Sequence, residues 1–304
     1  MPKITWILSL VFSLSCSFTW ACDVCGCSAG GYYLGIMPQQ NNNFIGLRYR
    51  NSIYDGHGGL VPYGAHDIFQ STELFSRYYL HPRVQLLGFV PFSFNHRMQT
   101  DREMKVQGLG DVLFLANYQL WNTARGNNLE GWRHSFFVGG GLKLPTGQFR
   151  FTETDATQVN NANFQLGTGS LDYLLSTNYT LRWKAWGLNL EGSVKFNGKN
   201  ADDYRFGTRF SGNGNLFLIR QLSKSLAIMP NAGLYFEKSA ADWQKGTEVE
   251  GTGGPLMAAN TGLDLYLNNR WSLGLKYQLP VYQNLGDGHL DAKRRFMAQV
   301  LILW

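Results

Sequence analysis

Charge is scarce in this chain. Only 16% of its 304 residues are Asp, Glu, Lys or Arg, against about 25% in an average soluble domain. Four cysteines are too few for a disulfide scaffold. No Gly-X-Y period and no heptad occurs, which excludes collagen and coiled coil. The net charge of +6 comes without a block of like charges, so nucleic acid is not an expected partner. Beyond the N-terminal leader there is no apolar run of about 18 residues, so an inner-membrane helix is excluded. What is abundant is glycine (35) and aromatic side chains (14%), in a chain that is 44% hydrophobic. That much apolar surface rules out disorder. An all-β protein remains.

The N-terminus points to export. Met1-Pro2-Lys3 carries one positive charge, Ile4 to Trp20 is apolar or hydroxylic, and Thr19-Trp20-Ala21 places small residues at −3 and −1 before Cys22. This is signal-peptide anatomy. A spanning anchor would need a longer apolar core, and acylation of Cys16 or Cys22 is the lipoprotein alternative. The expected organisation is a signal peptide over 1–21, a cysteine-rich segment over 22–42, serving as a plug or metal site, and a β-domain over 43–304.

Within that domain the hydrophobic period is two. Ile45, Leu47 and Tyr49 oppose Gly46, Arg48 and Arg50; Leu188, Leu190 and Val194 oppose Asn189, Glu191, Ser193 and Lys195; Trp271 to Leu279 alternate with Ser272, Gly274, Lys276 and Gln278. Successive strand side chains face opposite ways, so each segment has a greasy and a polar side. The final segment, Phe296 to Trp304, ends the chain on an aromatic and is apolar on nearly both faces, which lipid favours over water. Tyr32, Tyr33, Tyr78, Tyr79, Trp121, Trp132, Trp183, Trp186 and Trp271 fall near strand ends, where interfacial girdles lie. The fold expected is a transmembrane antiparallel β-barrel of about twelve strands, with 204–211 and 215–222 competing for one of them. Leu80–Arg83, Lys184-Ala185, Ser223–Ser225 and Asn268–Arg270 read as tight periplasmic turns. The stretches 52–67, 97–107, 121–133, 146–169, 197–203, 239–254 and 281–294 read as outer loops, although 121–133 conflicts with strand parity.

Three glycine-bearing motifs sit at strand ends: Gly108-Leu109-Gly110-Asp111, Lys143-Leu144-Pro145-Thr146-Gly147, and Gly167-Thr168-Gly169-Ser170-Leu171-Asp172. Glycine there permits tight bends and bulges at a barrel rim. In this order the motifs resemble the outer-membrane transporter-like barrels first named from meta-pathway phenol-degradation operons, over about residues 44–304. The resemblance implies a barrel distantly similar to long-chain fatty-acid and aromatic-hydrocarbon channels, in the bacterial outer membrane.

Parity places Arg48, Arg50, Arg77, Lys143, Arg182, Lys195, Arg205, Arg209 and Lys276 on the inward face, with the acids Glu73, Asp111, Asp172, Glu191, Glu237 and Asp264. Bases outnumber acids, so the pore is expected to be mildly positive and to favour anions. Asp111, Lys143 and Asp172 either line the pore or close into a plugging ion-pair network. Twelve strands lie between a filled barrel and an open channel, so a narrow or plugged passage is expected.

Cys22-Asp23-Val24-Cys25-Gly26-Cys27 has the spacing to close three thiolates on one soft ion, copper or zinc. A Cys22–Cys25 disulfide and lipidation of Cys22 are the alternatives. The histidines show no metal-binding spacing, and no G-x-S-x-G elbow occurs. The leading expectation is a non-enzymatic channel or transporter for a small solute, with a soft-metal link. The alternatives are a barrel hydrolase, and a metal-sensing or assembly-partner barrel. Expected partners are outer-membrane lipid, the solute, the barrel-assembly machinery, and a periplasmic protein at the N-terminal segment.

Overall fold

A strand with one apolar face in lipid must also satisfy every backbone N–H and C=O, and a closed antiparallel barrel does both. The computed structural model describes residues 42–304, except 59, 60, 62, 101, 124–130 and 150–161. The signal peptide and the cysteine segment fall outside the described residues, as do Tyr32 and Tyr33.

Seventeen strands follow in chain order: β1 (Phe44–Gly56), β2 (His66–His81), β3 (Val84–Met98), β4 (Glu103–Leu109), β5 (Val112–Asn122), β6 (Trp132–Leu144), β7 (Asp172–Trp183), β8 (Trp186–Phe196), β9 (Tyr204–Arg205), β10 (Arg209–Leu218), β11 (Arg220–Ser223), β12 (Leu226–Ser239), β13 (Asp242–Gln244), β14 (Thr247–Val249), β15 (Gly254–Leu267), β16 (Trp271–Gln283) and β17 (Leu290–Leu303). β4 and β5 pair the outer and inner halves of β3, with the break at Gly110-Asp111. β11 continues β10 against β12. β1 pairs β17, and β10 bridges β8 to β12, so the sheet closes as a barrel of twelve antiparallel staves. β9, β13 and β14 form a separate three-stranded sheet.

The end that carries Asn43 and Trp304 also carries the short turns, and is the periplasmic end by the loop-length rule. Lys184, Asn268 and Asn269 take positive φ there, of 52, 52 and 53°, as the tightest hairpin turns require. The connection between β5 and β6 lies at this same end, closed by Thr123 N–H to His134 O at 2.9 Å. The expected outer loop at 121–133 is therefore a periplasmic one: β4 and β5 count as a single stave, which resolves the parity. Several outer loops are shorter than expected because the staves continue past the membrane; the last is 284–289 rather than 281–294. The eighth stave is 209–218. Residues 204–205 leave the barrel because Gly207 lies against the Ala240 backbone and its carbonyl accepts from Asn197 Nδ2 at 2.5 Å.

Tyr78, Tyr118, Trp121, Trp132, Trp183, Trp186, Trp271 and Trp304 are exposed around the periplasmic rim, the arrangement of an aromatic girdle. Tyr79 does not join it. It shares inward parity with Arg77, whose guanidinium lies 5.3 Å from its ring. The apolar inner face of the last strand also has a different cause from lipid: Leu301 and Leu303 are 2% and 6% exposed inside the barrel. Leu190, midway along β8, faces outward. Leu190→Arg is expected to cost about 2–4 kcal/mol in lipid-vesicle unfolding, the cost of arginine at the bilayer midplane. A loss below a few tenths would mean that this face does not meet lipid.

Candidate permeation path

On one side of the barrel interior Phe44, Phe75, Leu87, Phe89, Leu113, Leu115, Leu174, Leu301 and Leu303 pack into one apolar cluster, which climbs from Phe44 and Leu303 at the periplasmic end to Leu113 and Leu174 at the outer starts of β5 and β7. Tyr266 joins it to a second cluster of Phe217 and Met229, so apolar contacts run around much of the wall. Arg77, at the rim, donates to Asn42 O at 2.6 and 3.1 Å and lies 4.9 Å from the Phe44 ring.

Beside this cluster lies a polar belt. Glu73 accepts from Arg48 at 3.3 Å and from Arg50 at 2.8 Å, and Arg48 stacks 4.0 Å over Phe75. Across the interior, Glu191 faces Lys276 and Arg48 and accepts from Asn178 Nδ2 at 3.0 Å. Asp264 faces Lys276 and accepts from Asn231 at 3.2 Å. In this belt Arg48, Arg50 and Lys276 balance Glu73, Glu191 and Asp264, three charges against three. The basic excess read from the sequence sits instead towards the two ends. Arg77 and Arg182 lie near the periplasm, where Arg182 Nε donates to Lys184 O at 3.0 Å. Lys195 and Arg209 lie directly opposite each other near the outer end, with Arg209 donating to Ser239 at 2.9 Å.

The outer mouth is filled by a loop. After β6 the chain returns through a 3-10 turn, Ala162–Phe164, whose Phe164 is 0% exposed among Tyr54, Phe69, Leu256, Leu285 and Leu290. Asn95 Nδ2 donates to Phe164 O at 3.1 Å, and Arg97 lies 4.9 Å from the Phe164 ring while clamping Asp67 at 2.6 and 2.5 Å. The base of this loop is latched by the three glycine motifs. Lys143 pairs with Asp111, and with Asp172 at 2.7 Å; all three side chains are at most 2% exposed. Asp111 also accepts from Gly147 N–H at 3.0 Å and Thr168 N–H at 2.8 Å, and Asp172 from Gly198 N–H at 3.0 Å. Gly147 and Gly167 are in backbone contact, where a side chain on either would collide. The closed ion-pair network is thus the arrangement present, and it ties three staves to the loops above them.

Arg205 does not face the interior. It is exposed on β9, beside the Trp243 ring at 5.8 Å. Glu237 is buried in the interior and accepts from Arg295 at 3.2 Å. Charge parity overlooked the loop insertion, the Arg97–Asp67 clamp, and the inward carboxamides Asn117, Asn189, Asn213, Asn215, Asn231 and Asn260, all at most 8% exposed. Their signal was present as Asn and Gly two residues apart, at Asn231/Gly233. Cys22, Cys25 and Cys27 lie outside the described residues. Four of the six histidines pair with carboxylates or tyrosine: His57 with Asp291, His66 with Asp55, His96 with Glu103, and His134 with Tyr179, while His81 Nδ1 accepts from Arg83 N–H at 3.3 Å.

Solved structures resemble this barrel at low sequence identity. The COG4313 outer membrane channel from Pseudomonas putida F1 matches with a TM-score of 0.66 and 14% identity over 90% of this chain and 99% of that one. The β domain of the Bordetella autotransporter BrkA matches with a TM-score of 0.54 and 13% identity, over 87% and 100%. The transport unit of the autotransporter AIDA-I from Escherichia coli gives 0.52 and 8%, over 89% and 92%. No curated protein sequence matches the chain. The fold is that of a bacterial outer-membrane channel-like barrel. With residues 51–284 matched, the chain belongs to the family described as "Putative MetA-pathway of phenol degradation".

Proposed function

We propose that the protein is a passive outer-membrane channel for a small polar solute, closed at rest by its own loop. The observation that carries this is the interior itself. It holds a belt of balanced charges and carboxamides below a loop-filled mouth, and among the described residues Asn215, Asn231 and Asn260 keep buried polar atoms without a partner. Each buried polar atom left without a partner costs about 1–3 kcal/mol. Such a belt persists where water or solute enters it. The hydrolase alternative needs a serine beside one of the paired histidines, and among the described residues the side-chain partners of His57, His66, His96 and His134 are Asp291, Asp55, Glu103 and Tyr179.

Charge balance in the belt has a consequence for ions. The excess positive charge sits towards the two ends of the passage and the belt itself is balanced, so selectivity between small ions is expected to be weak. Purified protein in a planar bilayer is expected to give discrete current steps, with a reversal potential near zero in a potassium chloride gradient. Absence of steps at every voltage would overturn the channel. A strongly anion-selective reversal potential would place the dominant field at the basic ends rather than in the belt.

A further inference from the structure

Three side chains on neighbouring staves, and a fourth on β5, lie sideways along the wall, each over a glycine directly opposite. Asn215 of β10 faces Gly233 of β12, Asn231 of β12 faces Gly262 of β15, and Asp264 of β15 faces Gly274 of β16. A Cβ built on those glycines would come within 2.7, 2.8 and 2.5 Å of the oxygen above it. Asn117 lies over Gly139 in the same way between β5 and β6. Any larger residue at the glycine would push the carboxamide into the lumen, so the pairing keeps the wall both polar and thin.

The hydrogen bonding of this wall is one-sided. Asn231 Nδ2 donates to Asp264 at 3.2 Å and Asn260 Nδ2 to Asn213 Oδ1 at 3.1 Å, so their nitrogens are spent within the wall. Among the described residues the oxygens of Asn231 and Asn260 have no partner, and neither polar atom of Asn215 has one, although these residues are 6%, 5% and 0% exposed. Buried acceptors in this state call for a donor from outside the protein. The belt around them carries three positive and three negative groups, so its field favours neither a cation nor an anion.

We propose that this glycine-backed carboxamide staircase is the solute-recognition track of the channel, and that its ligands are neutral polyhydroxylated molecules of sugar size. Hydroxyl groups donate to the open carboxamide oxygens and accept from the amide nitrogen of Asn215. The inference rests on the channel reading above and names its substrate class.

The test is uptake of radiolabelled glucose, gluconate and glucosamine into vesicles carrying the full chain, with ionic conductance measured on the same preparation. Glucose is expected to enter about fivefold faster than either charged analogue, the worth of about one net hydrogen bond. Asn215→Leu/Asn231→Leu is expected to erase that preference in a barrel that still folds and inserts, and Gly233→Ala to slow glucose by displacing Asn215 inward. Should the double variant fail to insert, Asn260→Leu on the same wall carries the comparison. Equal uptake of all three solutes by the parent, faster glucosamine, or a glucose preference untouched by the leucines overturns the staircase and leaves the channel standing. A parent that passes neither ions nor sugar overturns both.

Discussion

Methionine in place of Lys143 is expected to lower barrel stability by about 3–5 kcal/mol, the cost of removing one partner from a buried ion pair. The reason is the company the lysine keeps. Asp111 and Asp172 come from staves on either side of β6, both are almost fully buried, and among the described residues the ammonium between them is the one cation paired with either. Without it, two carboxylates face each other out of water's reach, and like charges so placed resist simultaneous ionisation. The loss appears as a lower midpoint in urea unfolding from lipid vesicles and as earlier protease cleavage within 145–171, because Asp111 also holds Gly147 and Thr168 by their N–H groups. Asp111→Asn/Lys143→Met/Asp172→Asn is expected to recover most of the stability, since neutral groups in place of all three leave no unpaired charge. A single variant as stable as the parent would mean that the three motifs are rim decoration rather than a latch.

The contrast between that latch and the rest of the interior explains what could be read from the sequence. A period of two assigns each residue of a strand to one of two faces, so Arg48, Glu73, Lys143 and Lys276 are placed inward as soon as their strands are recognised. The glycine motifs mark the rim for a similar local reason. Register is different, because it depends on which residue of the next strand lies opposite. The pairing of Asn215 with Gly233, or of Asn231 with Gly262, is therefore not visible in either strand alone. Arg205 shows the converse failure. Its two-residue strand has inward parity in a list of strands, yet the close approach of Gly207 to Ala240 takes it out of the barrel. Most distant of all from sequence reasoning is the loop between β6 and β7. Its Phe164 meets Tyr54, Phe69 and Leu290, residues about a hundred positions away on either side, and nothing local separates it from a solvated outer loop.

That loop gives the second large effect. Phe164→Ala is expected to raise single-channel conductance or open time severalfold while leaving the barrel's unfolding midpoint nearly unchanged. Truncating a buried phenylalanine costs about 3–5 kcal/mol where it supports a core. Here the ring supports only the docking of a surface loop, through contacts with Tyr54, Phe69, Leu256, Leu285 and Leu290 and beneath the Arg97 guanidinium. The twelve staves keep all their backbone pairs. The cost therefore falls on the equilibrium between a docked and a lifted loop, and at about 1.4 kcal/mol per factor of ten it shifts that equilibrium by about two to three and a half powers of ten. The base stays latched, so the loop lifts without unfolding the rim. Asn95→Ala removes a donor to the Phe164 carbonyl and is expected to shift conductance in the same direction by less, about one hydrogen bond's worth. Conductance and open time identical to the parent in Phe164→Ala would show that the constriction lies below the mouth, in the Phe44–Phe75–Phe89 cluster, and that the loop merely covers a passage already closed.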